Sequence, residues 1–183
     1  MNWLSTIALL MAAYLSVFAE AFCSGVRQML GAQIDLLPAL MVYVGLSGGL
    51  TVLTLLAVLG GLCFDAFSAN PLGISVLPLF TTGLLIYCNR ELILRDQPYA
   101  QFVLGLGASA VVPFLTVLSL LGAGEQPLLG WGSLWQWLVM ASGGAVLTPV
   151  CFNVFDRFNR ALTYPVAAES TFRADREIKR GRS

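Results

Sequence analysis

Apolar residues run almost unbroken through five stretches of this chain, and polar residues fall in short gaps between them. The stretches are Leu4–Phe22, Leu36–Phe64, Leu72–Tyr87, Ala100–Leu121 and Trp131 to about Phe155. Most approach the ~20 apolar residues that carry a helix across a bilayer. The second holds 29 residues without a charge, long for one span and short for two. Its natural break is Ser47-Gly48-Gly49, where glycines permit a tight turn. With the break the pattern predicts six helices; without it, five, one of them long and tilted. Pro113 falls inside the Ala100–Leu121 stretch, and membrane helices tolerate proline where neighbours satisfy the freed carbonyl.

Composition turns this pattern into a class. Of 183 residues, 57% are hydrophobic and 11% charged, with a mean hydropathy of +0.80. Soluble domains carry about 25% charged residues, so a soluble fold of this size could not hide so much apolar surface. The expectation is an all-α polytopic integral membrane bundle over residues 1–160, followed by a basic cytoplasmic tail over 161–183. That tail, with few apolar anchors, reads as disordered or as a short surface helix. Ala19-Glu20-Ala21 has the form of a signal-peptidase site. Met1-Asn2-Trp3 carries none of the basic residues a signal peptide needs, so the first stretch reads as a span. Trp131, Trp135 and Trp137 at the start of the last stretch read as an interfacial belt.

Net charge is zero, but the ten basic residues are unevenly placed. With six spans, nine fall on one side, among them Arg90, Arg95, Arg157 and Arg160, and only Arg27 on the other. By the positive-inside rule the Arg90–Arg95 loop and the C-terminus are cytoplasmic in either count of spans. The elbow that follows Asp65 is then outside. Arg157 and Arg160 suit a helix C-terminus and anionic headgroups.

That elbow is the main polar interruption of the apolar core: "GGLCFDAFSANPLGIS", Gly60 to Ser75. An aspartate at the centre of a membrane costs about 2.5–3.5 kcal/mol, less toward the ends. Asp65 would be tolerated pointing into the bundle or capping the next helix. Asn70 reads as a cap, Pro71 as a first-turn residue and Leu72 as the helix start. The stretch is either a plain hairpin between spans or an outward contact for a partner's membrane-proximal segment. Small residues at Gly105, Gly107, Ala108 and Ser109, and at Ser142 to Ala145, let helices approach closely, inside the bundle or at a docking face. Pro149 should bend the last helix.

Catalytic chemistry finds little footing. Histidine is absent, and no carboxylates pair at helical spacing within a span. There is no G-x-S-x-G and no phosphate loop. Cys23, Cys63, Cys88 and Cys151 show no CxxC spacing and read as small apolar side chains. No cofactor, metal or nucleic acid is implied.

The order of elements is distinctive: "IDLLPALMVYVGL", a glycine-rich span ending "GGLCFDAFSANPLG", an apolar span, the basic loop "NRELILR", another span, and "LTPVCFNVFDRF". Over residues 33–160 it resembles the bacterial rod shape-determining MreD family. That family carries a G-x-x-x-D-x-x-S-x-x-x-x-G signature, here Gly61, Asp65, Ser68 and Gly73, and a proline in its last helix, here Pro149. Ile34-Asp35, with proline only at Pro38, and the basic tail depart from the family pattern. The resemblance implies a non-enzymatic inner-membrane scaffold of the cell-elongation complex. It would bind MreC and work beside MreB and the RodA–transpeptidase synthase. The family is similar in fold to the S components of energy-coupling-factor vitamin transporters, which makes such a component the alternative. An intramembrane enzyme is a weaker third.

Overall fold

The computed structural model describes residues 3–22, 31–68, 70–95, 97–125 and 130–163. The basic tail from 164 onward, Arg27 and Cys23 lie outside the described residues. Six helices follow one another: α1 (Trp3–Phe22), α2 (Leu37–Ser47), α3 (Leu50–Phe67), α4 (Val76–Cys88), α5 (Pro98–Gly122) and α6 (Trp131–Thr163). The chain is thus an all-α, polytopic helical membrane protein, and the turn expected at Ser47-Gly48-Gly49 is formed. Gly49 is extended and Gly48 returns its amide to Val44 O, which ends α2 and frees α3 to reverse direction.

Four helices, α1, α3, α5 and α6, are long and apolar enough to cross a membrane. The other two are 11 and 13 residues, about 16 and 20 Å at 1.5 Å per residue, short of a ~30 Å hydrocarbon core. The short helices are not surface pieces. Nine consecutive residues of α2, Leu37 to Gly45, are buried. A helix apolar on every side is stable only when enclosed on every side, and α2 touches all five others. By contrast only 22–33% of each long span is buried. Their remaining apolar surface is what lipid covers.

Close crossings hold the bundle. At α2–α4, a Cβ on Gly83 would lie 2.5 Å from Met41 Cε, and one on Gly45 3.0 Å from Ile86 Cγ2. At α5–α6, a Cβ on Gly105 would lie 2.2 Å from Thr148 Oγ1 and 2.6 Å from Gly144 O. Ser109 packs on Gly144 in the same seam. The small residues of α5 and α6 therefore serve internal packing. Gly107 is the exception, with nothing within 4 Å of its added Cβ, and Ser142 is exposed. Without those Cβ atoms the backbones approach closely enough for dispersion contacts to hold helices together in lipid.

Successive helices run in opposite directions, giving the bundle two ends. One gathers the end of α1, the starts of α2 and α4, and the elbow. The other gathers Ser5, Tyr43, Arg95 and Asp156.

Candidate functional site

At the elbow, Asp65 is 2% exposed and its oxygens are fully engaged. Oδ2 accepts the amides of Gly73 (2.8 Å) and Ser75 (3.1 Å), and Oδ1 accepts the Ser75 hydroxyl (2.5 Å). A buried polar group is costly unless it is hydrogen-bonded. Asp65 thus closes a loop whose amides would otherwise be orphaned at the start of α4. Two expectations are corrected. The helix begins at Val76 instead of Leu72, because Ile74 and Val76 first close tight turns onto Pro71 and Gly73. The capping side chain is Asp65 instead of Asn70, whose amide donates to Ser68 Oγ at 3.3 Å. Gly73 takes φ +93°, a left-handed value that favours glycine. Gly61 gives passage to α4: its Cβ would fall 2.9 Å from Val76 Cα. Gly61, Asp65, Ser68, Asn70 and Gly73 are therefore one mechanical unit. Its carboxylate faces inward; Phe67, Pro71 and Leu72 face outward.

At the opposite end a polar chain crosses the bundle. Arg95 Nη2 donates to Asp156 Oδ1 at 2.7 Å, the side chains being 40% and 25% exposed. Tyr43 OH donates to the same oxygen at 3.4 Å and accepts from Asn159 Nδ2 at 2.8 Å. Ser5 Oγ donates to Asn159 Oδ1. Four segments far apart in sequence meet there: α1, α2, the loop before α5, and α6. Arg95 thus ties the loop to α6, while Arg157 and Arg160 are exposed. Arg90 stacks its guanidinium 4.4 Å from the Tyr87 ring centroid. Pro149 is half-buried within a continuous α6, flanked by Thr148, which donates to Gly144 O at 2.7 Å.

A third constellation escaped the sequence reading. Glu20 and Asp35 meet at the start of α2. Glu20 Oε1 accepts the Leu36 amide (2.9 Å) and Asp35 Oδ1 the Leu37 amide (2.8 Å). Pro38 has no amide to offer, so the two carboxylates cap the amides that open α2, where the helix dipole favours negative charge. Asp35 is 5% exposed, and burial pushes its carboxyl up to about 6 although the Leu37 amide pulls it down. Beside it lies an apolar cavity of about 180 Å³, which adjoins a cleft of about 800 Å³ between α5 and α6. The signal in the sequence was two acids flanking one connector, each next to an apolar run. Their convergence depends on how α1 packs against α2, which spacing alone does not give.

Among the described residues no group of three or more His, Cys, Asp or Glu is placed to hold a metal ion. Set against known proteins, the chain matches no family model, no curated protein and no solved structure.

Proposed function

We propose that this protein is a non-enzymatic scaffold of the bacterial inner membrane, an MreD-like subunit that binds MreC in the cell-elongation complex. The observation that carries the reading is the elbow. The residues of the signature, Gly61, Asp65, Ser68 and Gly73, converge on one rigid turn rather than scattering. Both chain termini are cytoplasmic in this reading, which the alternating helices and nine basic residues against one support. In this topology the elbow faces the periplasm, where it presents Leu72, 72% exposed, and Phe67, 49% exposed, to a partner's membrane-proximal segment.

The test is co-purification with MreC in mild detergent, together with cell shape. L72S should lower MreC recovery while leaving thermal stability unchanged; D65A should lower both. Full MreC recovery and rod shape in L72S and D65A would overturn the reading. The alternative, a vitamin-transporter S component, draws on the cleft between α5 and α6. A vitamin retained through purification would favour it.

A further inference from the structure

Helices α5 and α6 touch along one half of their seam and part along the other. Gly105 and Ser109 lie against Gly144 and Thr148 so closely that neither glycine leaves room for a Cβ. Further along, large side chains face each other. Phe114 stacks on Trp137 at 6.3 Å between centroids, and the Trp137 indole N–H donates to Ala110 O at 2.8 Å. That bond fixes the ring across the gap as a strut. From this strut toward the start of α6 the two helices enclose the cleft of about 800 Å³.

The cleft opens through the side of the bundle, where Phe114, Trp131 and Leu134 are exposed and the neighbouring medium is lipid. Inward it continues. Pro113, Val117 and Met140 also line the cavity of about 180 Å³, whose other walls include Leu37, Phe64 and Leu79. Polar groups along this path are engaged with the protein itself. Gln136 donates to Gln33 O and accepts the Gln33 amide, and the Ser133 hydroxyl accepts the Gly130 amide. Deeper in, the Ser75 hydroxyl donates to Asp65 and the Thr116 hydroxyl to Val112 O, while Asp35 accepts the Leu37 amide.

An apolar cleft does not hold water well, and left void it forfeits the dispersion contacts of its lining. Hydrocarbon is what fits it. A helix, about 10–12 Å across, can lie along the mouth but cannot follow the passage inward past Val117. A single flexible chain can do both.

We propose that this cleft holds an acyl chain of a bilayer phospholipid. The chain enters from the side between α5 and α6 and points its end toward Leu37, Phe64 and Leu79. The headgroup stays at the membrane surface near Trp131, in the interfacial belt. The site stands whichever cellular role the protein has.

The probe is 1-palmitoyl-2-(6,7-dibromostearoyl)phosphatidylcholine, whose bromines quench tryptophan on contact, titrated into the full chain in maltoside micelles. Wild type should quench saturably, and the unbrominated lipid should reverse the quenching. V117F, from α5, and M140F, from α6, fill the passage; each should weaken binding at least tenfold. L118F adds a ring to the exposed side of α5 and should bind like wild type. W3F, on α1, should leave the quenching unchanged. Quenching linear in probe and equal in wild type, V117F and M140F would overturn the proposal, as would L118F weakening binding as much as V117F. A cleft filled by a helix of a second copy would show no saturable quenching and a dimer by mass in the same micelles, which would overturn it as well.

Discussion

Asp65 holds Ser75 by both its amide and its hydroxyl, ten residues further along the chain. This pair, with the Gly73 amide, sets where α3 ends and α4 begins. Asp65→Ala would strand two amides and a hydroxyl in a site that is almost fully closed. Each buried donor left without its acceptor costs about 1–3 kcal/mol. The expected outcome is a loss of at least about 3 kcal/mol, read as a fall in melting temperature in detergent. A D65A chain that melts with wild type would show that the elbow is held by other contacts.

Glycines on one helix should respond oppositely. At Gly105, the Cβ of alanine would enter the space of Thr148 Oγ1 and the Gly144 carbonyl. Overpacking of this kind costs about 1–3 kcal/mol. At Gly107 the Cβ meets nothing, and alanine improves helix propensity by up to about 1 kcal/mol. G105A should therefore melt lower than wild type, and G107A at the same temperature or higher. Equal melting of the two would place the α5–α6 seam elsewhere.

Much of this architecture was legible in the linear pattern, and the exceptions share a cause. Apolar runs located the six helices, and glycines at 48 and 49 located the hidden turn. The elbow was visible as a polar interruption, but its direction was not. An aspartate near the end of a span can face out or in, and only the positions of the Gly73 and Ser75 amides decide. Leu72 looked like a helix start because Asn-Pro favours one locally. Gly73 with positive φ delays the helix. Most hidden was the meeting of Glu20 with Asp35, since tertiary packing brings them together.

Tyr43 tests the opposite end. Its ring is fully buried between Phe152 and Phe155, at centroid distances of 5.0 and 5.2 Å, while its hydroxyl links Asp156 and Asn159. Tyr43→Phe keeps the packing and removes the link, a loss of about 1 kcal/mol. Tyr43→Ala removes both and should cost about 3–5 kcal/mol. R95A breaks a partly exposed pair worth about 1 kcal/mol or less, and its effect should shrink further in high salt. If R95A proves as damaging as Y43A, the ion pair and not the ring organises this end.

Asp35 makes stability depend on pH in a fixed direction. Burial raises its carboxyl from 3.8 to about 6 in the folded protein, so the folded state binds a proton more tightly than the unfolded chain. Stability linked to that proton is complete below about pH 4 and is lost as pH rises through 6. Its ceiling is about 3 kcal/mol, from 1.36 kcal/mol per unit of difference. Wild type in detergent should therefore melt at a higher temperature at pH 5 than at pH 8. D35N carries no titrating group there, keeps the acceptor for Leu37, and should match or exceed wild type at pH 8 while losing the acid-side gain. The measurement is repeated in an E20Q background, so that the neighbouring carboxylate does not supply the response. Wild type melting lower at pH 5 than at pH 8 in both backgrounds would mean that Asp35 stays charged in the fold, held by a cation.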